Sequence, residues 1–165
     1  MNSLRNFFYL PLFFVLLTLS ACSDVFDVSY DFDETYPISQ VQTFGWLPLA
    51  KRNPSRMDEV TYQRIVSSVE TELAGKGLRN SGDQPSDVLI EVTFGSQGGH
   101  RRTGRGSRYN FREGYLYINL VDPETDKLVW GGSGRAVLSY EVTPESAQKT
   151  IDEVVNKILR NLLPK

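Results

Sequence analysis

Between Gly98 and Arg112 the chain gathers five arginines, Arg101, Arg102, Arg105, Arg108 and Arg112, and its only histidine, His100, with no acid among them. Guanidinium groups suit phosphates and carboxylates, and an imidazole suits general base or metal chemistry. A catalytic imidazole must be held within hydrogen-bond reach and oriented by a partner, which this Gly-rich stretch does not offer. His100 therefore reads as a solvent-exposed residue. The mixture of Arg and Gly with Tyr109 and Phe111 is also the composition of a single-strand nucleic-acid arm. The whole chain nonetheless carries a net charge of −2, so the stretch is a local basic feature on an acidic body. It reads as a mobile charged loop.

Other constellations are weaker. Asp122, Glu124 and Asp126 are closely spaced acids, but the calcium-loop pattern wants a Gly after its acids and a distant Glu. A hairpin turn explains them better. The stretch Gly131 to Ala136, GGSGRA, lacks the Lys that ends a phosphate loop, and it reads as a bulge or bend in a strand. With one histidine and one cysteine, no paired-histidine or thiolate metal site can be built from this chain. No metal or other cofactor is expected. Phe44, Trp46, Tyr115, Tyr117 and Trp130 could line a ligand groove. Tyr115 and Tyr117 share one strand face, where paired tyrosines would suit sugar or peptide contacts. Cross-strand aromatic packing is the competing reading.

The N-terminus settles which environment these residues meet. One positive charge, Arg5, precedes an uncharged apolar run from Phe7 to Leu19, interrupted by Pro11. A spanning helix needs about 20 apolar residues and a signal core about 7–15, so this run predicts a secretory signal. It ends in Leu19-Ser20-Ala21-Cys22, which resembles the bacterial lipobox. That resemblance implies a signal peptide over residues 1–21, removed by cleavage after Ala21, and lipidation of Cys22. It also implies that Ser23 directs the protein to the outer membrane of a Gram-negative cell. Two or more acyl chains give stable anchoring where one does not. The expected membrane partner is reached through Cys22, and nucleic acid is not an expected partner outside the cytoplasm.

Residues 22–165 suit one domain with a real core. From Phe26, FDVSYDF alternates apolar and polar residues with the period of a half-buried strand. QTFGWLPL predicts a second strand. Ser55 is a candidate N-cap, followed by an apolar stripe of Tyr62, Ile65, Val66, Val69 and Leu73, with Gly77 as the stop. DVLIEVTF reads as a central strand, and GYLYINLVD and KLVWGGSGRAVLSY as two more. Thr143-Pro144 caps a final helix whose Ala147, Ile151, Val154, Val155, Ile158 and Leu162 form an apolar stripe. The order β-β-α-β-β-β-α predicts an α+β fold, a two-layer sandwich with a mainly antiparallel sheet and both helices on one face.

Several of these segments carry a resemblance. TFGWL, SDVLIEV and REGYLYINLVDPETDKLVW, behind a lipobox, resemble bacterial lipoproteins that share a domain of unknown function, the DUF-4136-like lipoproteins. The most specific part is Arg112-Glu113-Gly114, the turn Asp122 to Thr125, and Leu128-Val129-Trp130. Asp126 departs from relatives that often have Gly there, and Asp tolerates the left-handed conformation such a turn requires. The resemblance implies fold and location, and brings no catalytic residues.

If the second strand pairs antiparallel with the first, the strand ending at Phe94 runs back toward the start of the first. The arginine stretch then lies at the Cys22 end of the domain, where five arginines could engage anionic headgroups. The expectation is a non-enzymatic binding or assembly module, lipid-anchored at the periplasmic face of the outer membrane. An envelope protein, anionic lipid or peptidoglycan would be its partner. The alternative is a hydrolase of envelope glycans working through two carboxylates about 5–9.5 Å apart.

Overall fold

The computed structural model describes residues 27–47, 59–102, 108–138 and 143–162, with residues 100–102 and 108–111 described in backbone only. Six strands and two α-helices follow one another. They are β1 (Asp27–Phe32), β2 (Thr43–Trp46), α1 (Glu59–Gly75), β3 (Arg79–Asn80), β4 (Val88–Arg102), β5 (Arg108–Val121), β6 (Leu128–Leu138) and α2 (Pro144–Leu159). This is the expected α+β order with one addition, the two-residue β3. The candidate cap Ser55 lies outside the described residues.

All six strands form one sheet in the order β1-β6-β5-β4-β2-β3. The pairs β1/β6, β6/β5 and β5/β4 are antiparallel, while β4/β2 and β2/β3 are parallel. The expected pairing of the first two strands does not occur. Following β1, the chain passes through a 3-10 turn at Ile38–Gln40 and lays β2 on the far side of β4. β1 is thus an edge strand, which explains why its alternation buries so little: Tyr30 is 51% and Phe32 49% exposed.

One face of the sheet is apolar and carries both helices. Val88, Ile90, Leu116, Ile118, Leu120 and Trp130 are buried against Ile65, Val69 and Leu73 of α1 and Val155 and Ile158 of α2. Each such side chain stabilises the fold by about 1.5–3 kcal/mol relative to exposure. The helices end as their sequences suggest. Gly77 adopts φ 90°, Leu78 N–H donates to Leu73 O and Gly77 N–H to Ala74 O, which is a Schellman closure. Thr143 caps α2 by accepting from Ser146 N–H, while Ser146 Oγ accepts from Thr143 N–H.

The GGSGRA run neither bulges nor bends away. β6 is continuous through it, and the ladder's irregularity falls instead at Leu120/Val121. The glycines admit a helix. A Cβ on Gly132 would stand 2.5 Å from Ile158 Cγ2 and from Trp130 Cη2. Phe44 and Trp130, considered above as groove residues, are core residues at 1% and 2% exposure. Trp46 is half-buried and donates its Nε1–H to Glu70 of α1.

Candidate functional site

The described part of the arginine stretch is strand. Backbone pairing between β4 and β5 continues without a break from Leu89↔Val121 to Arg102↔Arg108. Gly and Arg are poor strand formers, but a ladder already started needs only backbone groups to continue. The hairpin outruns its neighbours. On β6 the last partner of β5 is Leu138, opposite Arg112. The register links Gly95 to Tyr115, Tyr115 to Arg135 and Arg135 to Asp27, so Gly95 is level with the start of β1. From that rung β4 runs on to Arg102, about 23 Å further at ~3.3 Å per residue. β6 accompanies this arm to the rung of Gly98 and Arg112, and the described pairing beyond it, about 13 Å at ~3.3 Å per residue, is two-stranded.

The sheet directions place this arm. β1 runs antiparallel to β6, β6 to β5 and β5 to β4, so the far end of β4 and the beginning of β1 share one end of the domain. The pairing assumed from sequence is wrong, yet β4 still ends at the end of the sheet where β1 begins. Direction depends on the number of reversals between two strands, and three antiparallel steps give the same result as one. Asp122 to Lys127, the turn between β5 and β6, lies at the opposite end. Cys22 and Arg105 lie outside the described residues.

Along the arm, Arg101 pairs in register with Tyr109, Arg102 with Arg108, His100 with Asn110, and Gly98 with Arg112. Arg112 is exposed, and its guanidinium donates to Ser96 Oγ at 3.2 Å. Directly opposed like charges destabilise a strand pair.

The tyrosines occupy the sheet face away from the helices, as their alternation with buried Leu116 and Ile118 predicts. Tyr115 lies across Gly95: a Cβ there would overlap its phenol, 2.0 Å from the hydroxyl oxygen. Tyr117, 40% exposed, meets Tyr115 edge-on with centroids 5.8 Å apart. The ring contact thus lies within β5, and the residue that Tyr115 covers across the strands is a glycine. Beside it, Gln97, Glu113 and Arg135 help to line a shallow polar cavity of about 290 Å³.

A larger cavity of about 430 Å³, unforeseen from sequence, lies on the helix side at the base of the arm. Its floor is Phe94, Leu116 and Ala136, and its walls are Ile65 of α1 and Ala147 and Ile151 of α2. It exists because the layers meet through small residues here. Gly134, Ala136, Ser146, Ala147 and Thr150 replace the large side chains that fill the other end. The pairing of small residues on β6 with small residues in the first turns of α2 was the available signal.

The described carboxylates are largely engaged in structure. Asp122 accepts from Thr125 Oγ1 at 2.6 Å and from Glu124 N–H at 3.0 Å, and the Thr125 hydroxyl first of all lowers its pKa. Asp126 takes φ 54°, the left-handed position anticipated for it. Asp87 accepts from Gln42 N–H, Thr43 N–H and Thr43 Oγ1, tying β2 to the start of β4, and these bonds lower its pKa. Among the described residues no group of three His, Cys, Asp or Glu could hold a metal ion. Among the described residues no Asp or Glu lines the large cavity, and Glu113 is the one acid lining the small one.

Comparison with known proteins adds family and fold. The family model for a domain of unknown function, DUF4136, matches residues 28–162. No curated protein matches. Among solved structures, a PelC dodecamer from Paraburkholderia phytofirmans is similar over 86% of this chain and 99% of its own, at 10% identity and a TM-score of 0.55. A PDZ domain protein from Parabacteroides distasonis is similar over 80% of this chain and 35% of its own, at 14% identity and a TM-score of 0.50. At these identities the likeness concerns the fold alone.

Proposed function

The chain belongs to the DUF4136 family, and from that premise we propose that it is a lipid-anchored envelope protein whose basic arm engages the membrane that Cys22 holds. It acts as a non-enzymatic binding or assembly module at the periplasmic face of the outer membrane. The supporting observation is that the arm and the start of β1 lie at one end of the domain.

Lengths make the reading specific. Four residues separate Cys22 from Asp27, so the tether has five residue steps and extends at most about 16–18 Å. The arm projects about 23 Å past the same rung. An anchor at the bilayer surface therefore leaves the domain no upright position in which the arm clears the headgroups. It lies against them or tilts the domain until it does. Each arginine near an anionic surface contributes about 1 kcal/mol, fading within a Debye length of about 8–10 Å. Among the described residues no helix is long and apolar enough to cross a membrane, so attachment in this reading rests on Cys22 and the arm. The glycan hydrolase reading needs two facing carboxylates, and neither cavity described above is lined by a pair.

Metabolic labelling with palmitate and fractionation of envelopes tests the anchor. The protein should take up label and sediment with outer membranes in high salt, and Cys22→Ser should abolish the label and leave only the salt-sensitive association that the arm supplies. Label uptake or high-salt membrane sedimentation unchanged by Cys22→Ser would overturn it.

A further inference from the structure

We infer that the cavity between α1, α2 and the ends of β4, β5 and β6 is a binding site for one acyl chain of a long-chain fatty acid. Burial along each element shows a core closed at one end and open at the other. On β5, Leu120 and Ile118 are fully buried and Leu116 is 4% exposed. On β4 the series runs from fully buried Ile90 through Val92 at 8% to half-buried Phe94. α2 repeats it, from fully buried Ile158 through Val154 at 6% to half-buried Ile151. The opening faces the end where the arm begins.

Size, lining and charge identify the occupant. About 430 Å³ falls within the range of small-molecule sites, and its walls are mostly apolar. Among the described residues, the charged ones in the lining are Arg64 and Arg112, and no described acid is among them. Glu145 stands near enough to Arg64 for the arginine to contribute, as the smallest cause, to its lowered pKa, but it lies outside the lining. A mostly apolar cavity with two arginines in its lining fits a hydrocarbon chain ending in a carboxylate. The chain's own acyl group would be joined through an ester or amide and would bring no carboxylate to the arginines. For the source of the fatty acid, a neighbouring membrane, the inference rests on the anchoring proposed above. Its test does not.

The test uses the purified full chain carrying Cys22→Ser, titrated with cis-parinaric acid, a fatty acid that fluoresces in apolar surroundings. Saturable binding at one probe per chain is expected. Ala147→Phe, which fills the cavity from the α2 side, should weaken it at least about tenfold with the circular dichroism spectrum and Tm retained. If that variant fails to fold, Thr150→Leu fills the same space more gently and carries the same expectation. Arg64→Ala with Arg112→Ala should weaken parinaric acid about tenfold and its methyl ester less than about twofold. Absence of saturable binding, full binding by a folded cavity-filled variant, or equal weakening of both probes would each overturn the proposal. So would binding to the Cys22→Ser chain that the acylated protein lacks, which would assign the cavity to the chain's own lipid. Because no anchor is needed, this result stands or falls apart from the fractionation of Cys22 variants.

Discussion

Arg102 is the register partner of Arg108 on the last described rung of the β4–β5 ladder. Two cations at directly opposed positions oppose the pairing unless an anion lies between or beside them. The arm should therefore bind anionic surfaces and be steadied by them. Arg101→Ala, Arg102→Ala and Arg108→Ala together should weaken binding of the Cys22→Ser chain to vesicles containing an anionic phospholipid by roughly 100-fold, at about 1 kcal/mol per arginine. Binding to neutral vesicles should not change. Raising salt from 0.05 to 0.5 M should erase most of the difference, since the Debye length shrinks. Vesicle co-sedimentation measures both effects.

Gly132 lets α2 lie close to the sheet. A methyl there would stand 2.5 Å from Ile158 Cγ2 and Trp130 Cη2, both within the buried core. Gly132→Ala should cost about 1–3 kcal/mol by overpacking and lower Tm by several degrees. Thermal melts followed by circular dichroism would show this, and an unchanged Tm would mean that α2 sits farther from β6.

In the β5–β6 turn, Asp126 holds φ 54°. An alanine there meets the full steric cost of the left-handed region, about 1–2 kcal/mol, whereas glycine meets none. Asp126→Ala should lower the midpoint of urea unfolding and Asp126→Gly should leave it near that of the parent. Equal losses for both would point to the aspartate side chain rather than the backbone as the stabilising element.

Asp33, Asp87 and Asp122 all have pKa values lowered by hydrogen bonds that the carboxylate accepts. A depressed folded-state pKa contributes stability that is complete above the unfolded value, near 3.9, and is lost as pH falls through the folded value. Stability should thus be flat from neutral pH to about 5 and decline below about 4. Asp87 links β2 to β4, so Asp87→Asn should lower the plateau and flatten the acid limb, as urea unfolding at several pH values would record. An acid limb of unchanged steepness would remove Asp87 from this account.

Much of the fold was legible because its signals are local. FDVSYDF alternates, Thr143-Pro144 caps, and Gly77 stops a helix, each through chemistry contained in a few residues. Strand neighbours were not legible. β1 carries the same alternation whether it pairs with β2 or with β6, and the choice is made where Pro37 to Val41 turn the chain across the sheet. The arm was misread as a loop because Gly and Arg dominate its composition. Tyr109 and Phe111 nevertheless fall in phase with Tyr115 and Tyr117, the period of two that marks a continuing strand. The large cavity left no linear trace, since Ala136 and Ala147 become neighbours only when α2 folds back over β6.

The central claim is that the arm, and not the opposite end of the domain, meets the membrane. Cys22 is the only cysteine and would be consumed by the anchor, so a single new cysteine can carry a fluorophore at Asn110 on the arm or at Glu124 in the far turn. The anchored protein is then reconstituted in vesicles containing an anionic phospholipid and a headgroup-bound quencher. The account predicts strong quenching at position 110 and little at position 124. Quenching at 124 without quenching at 110, or at neither position, would contradict it.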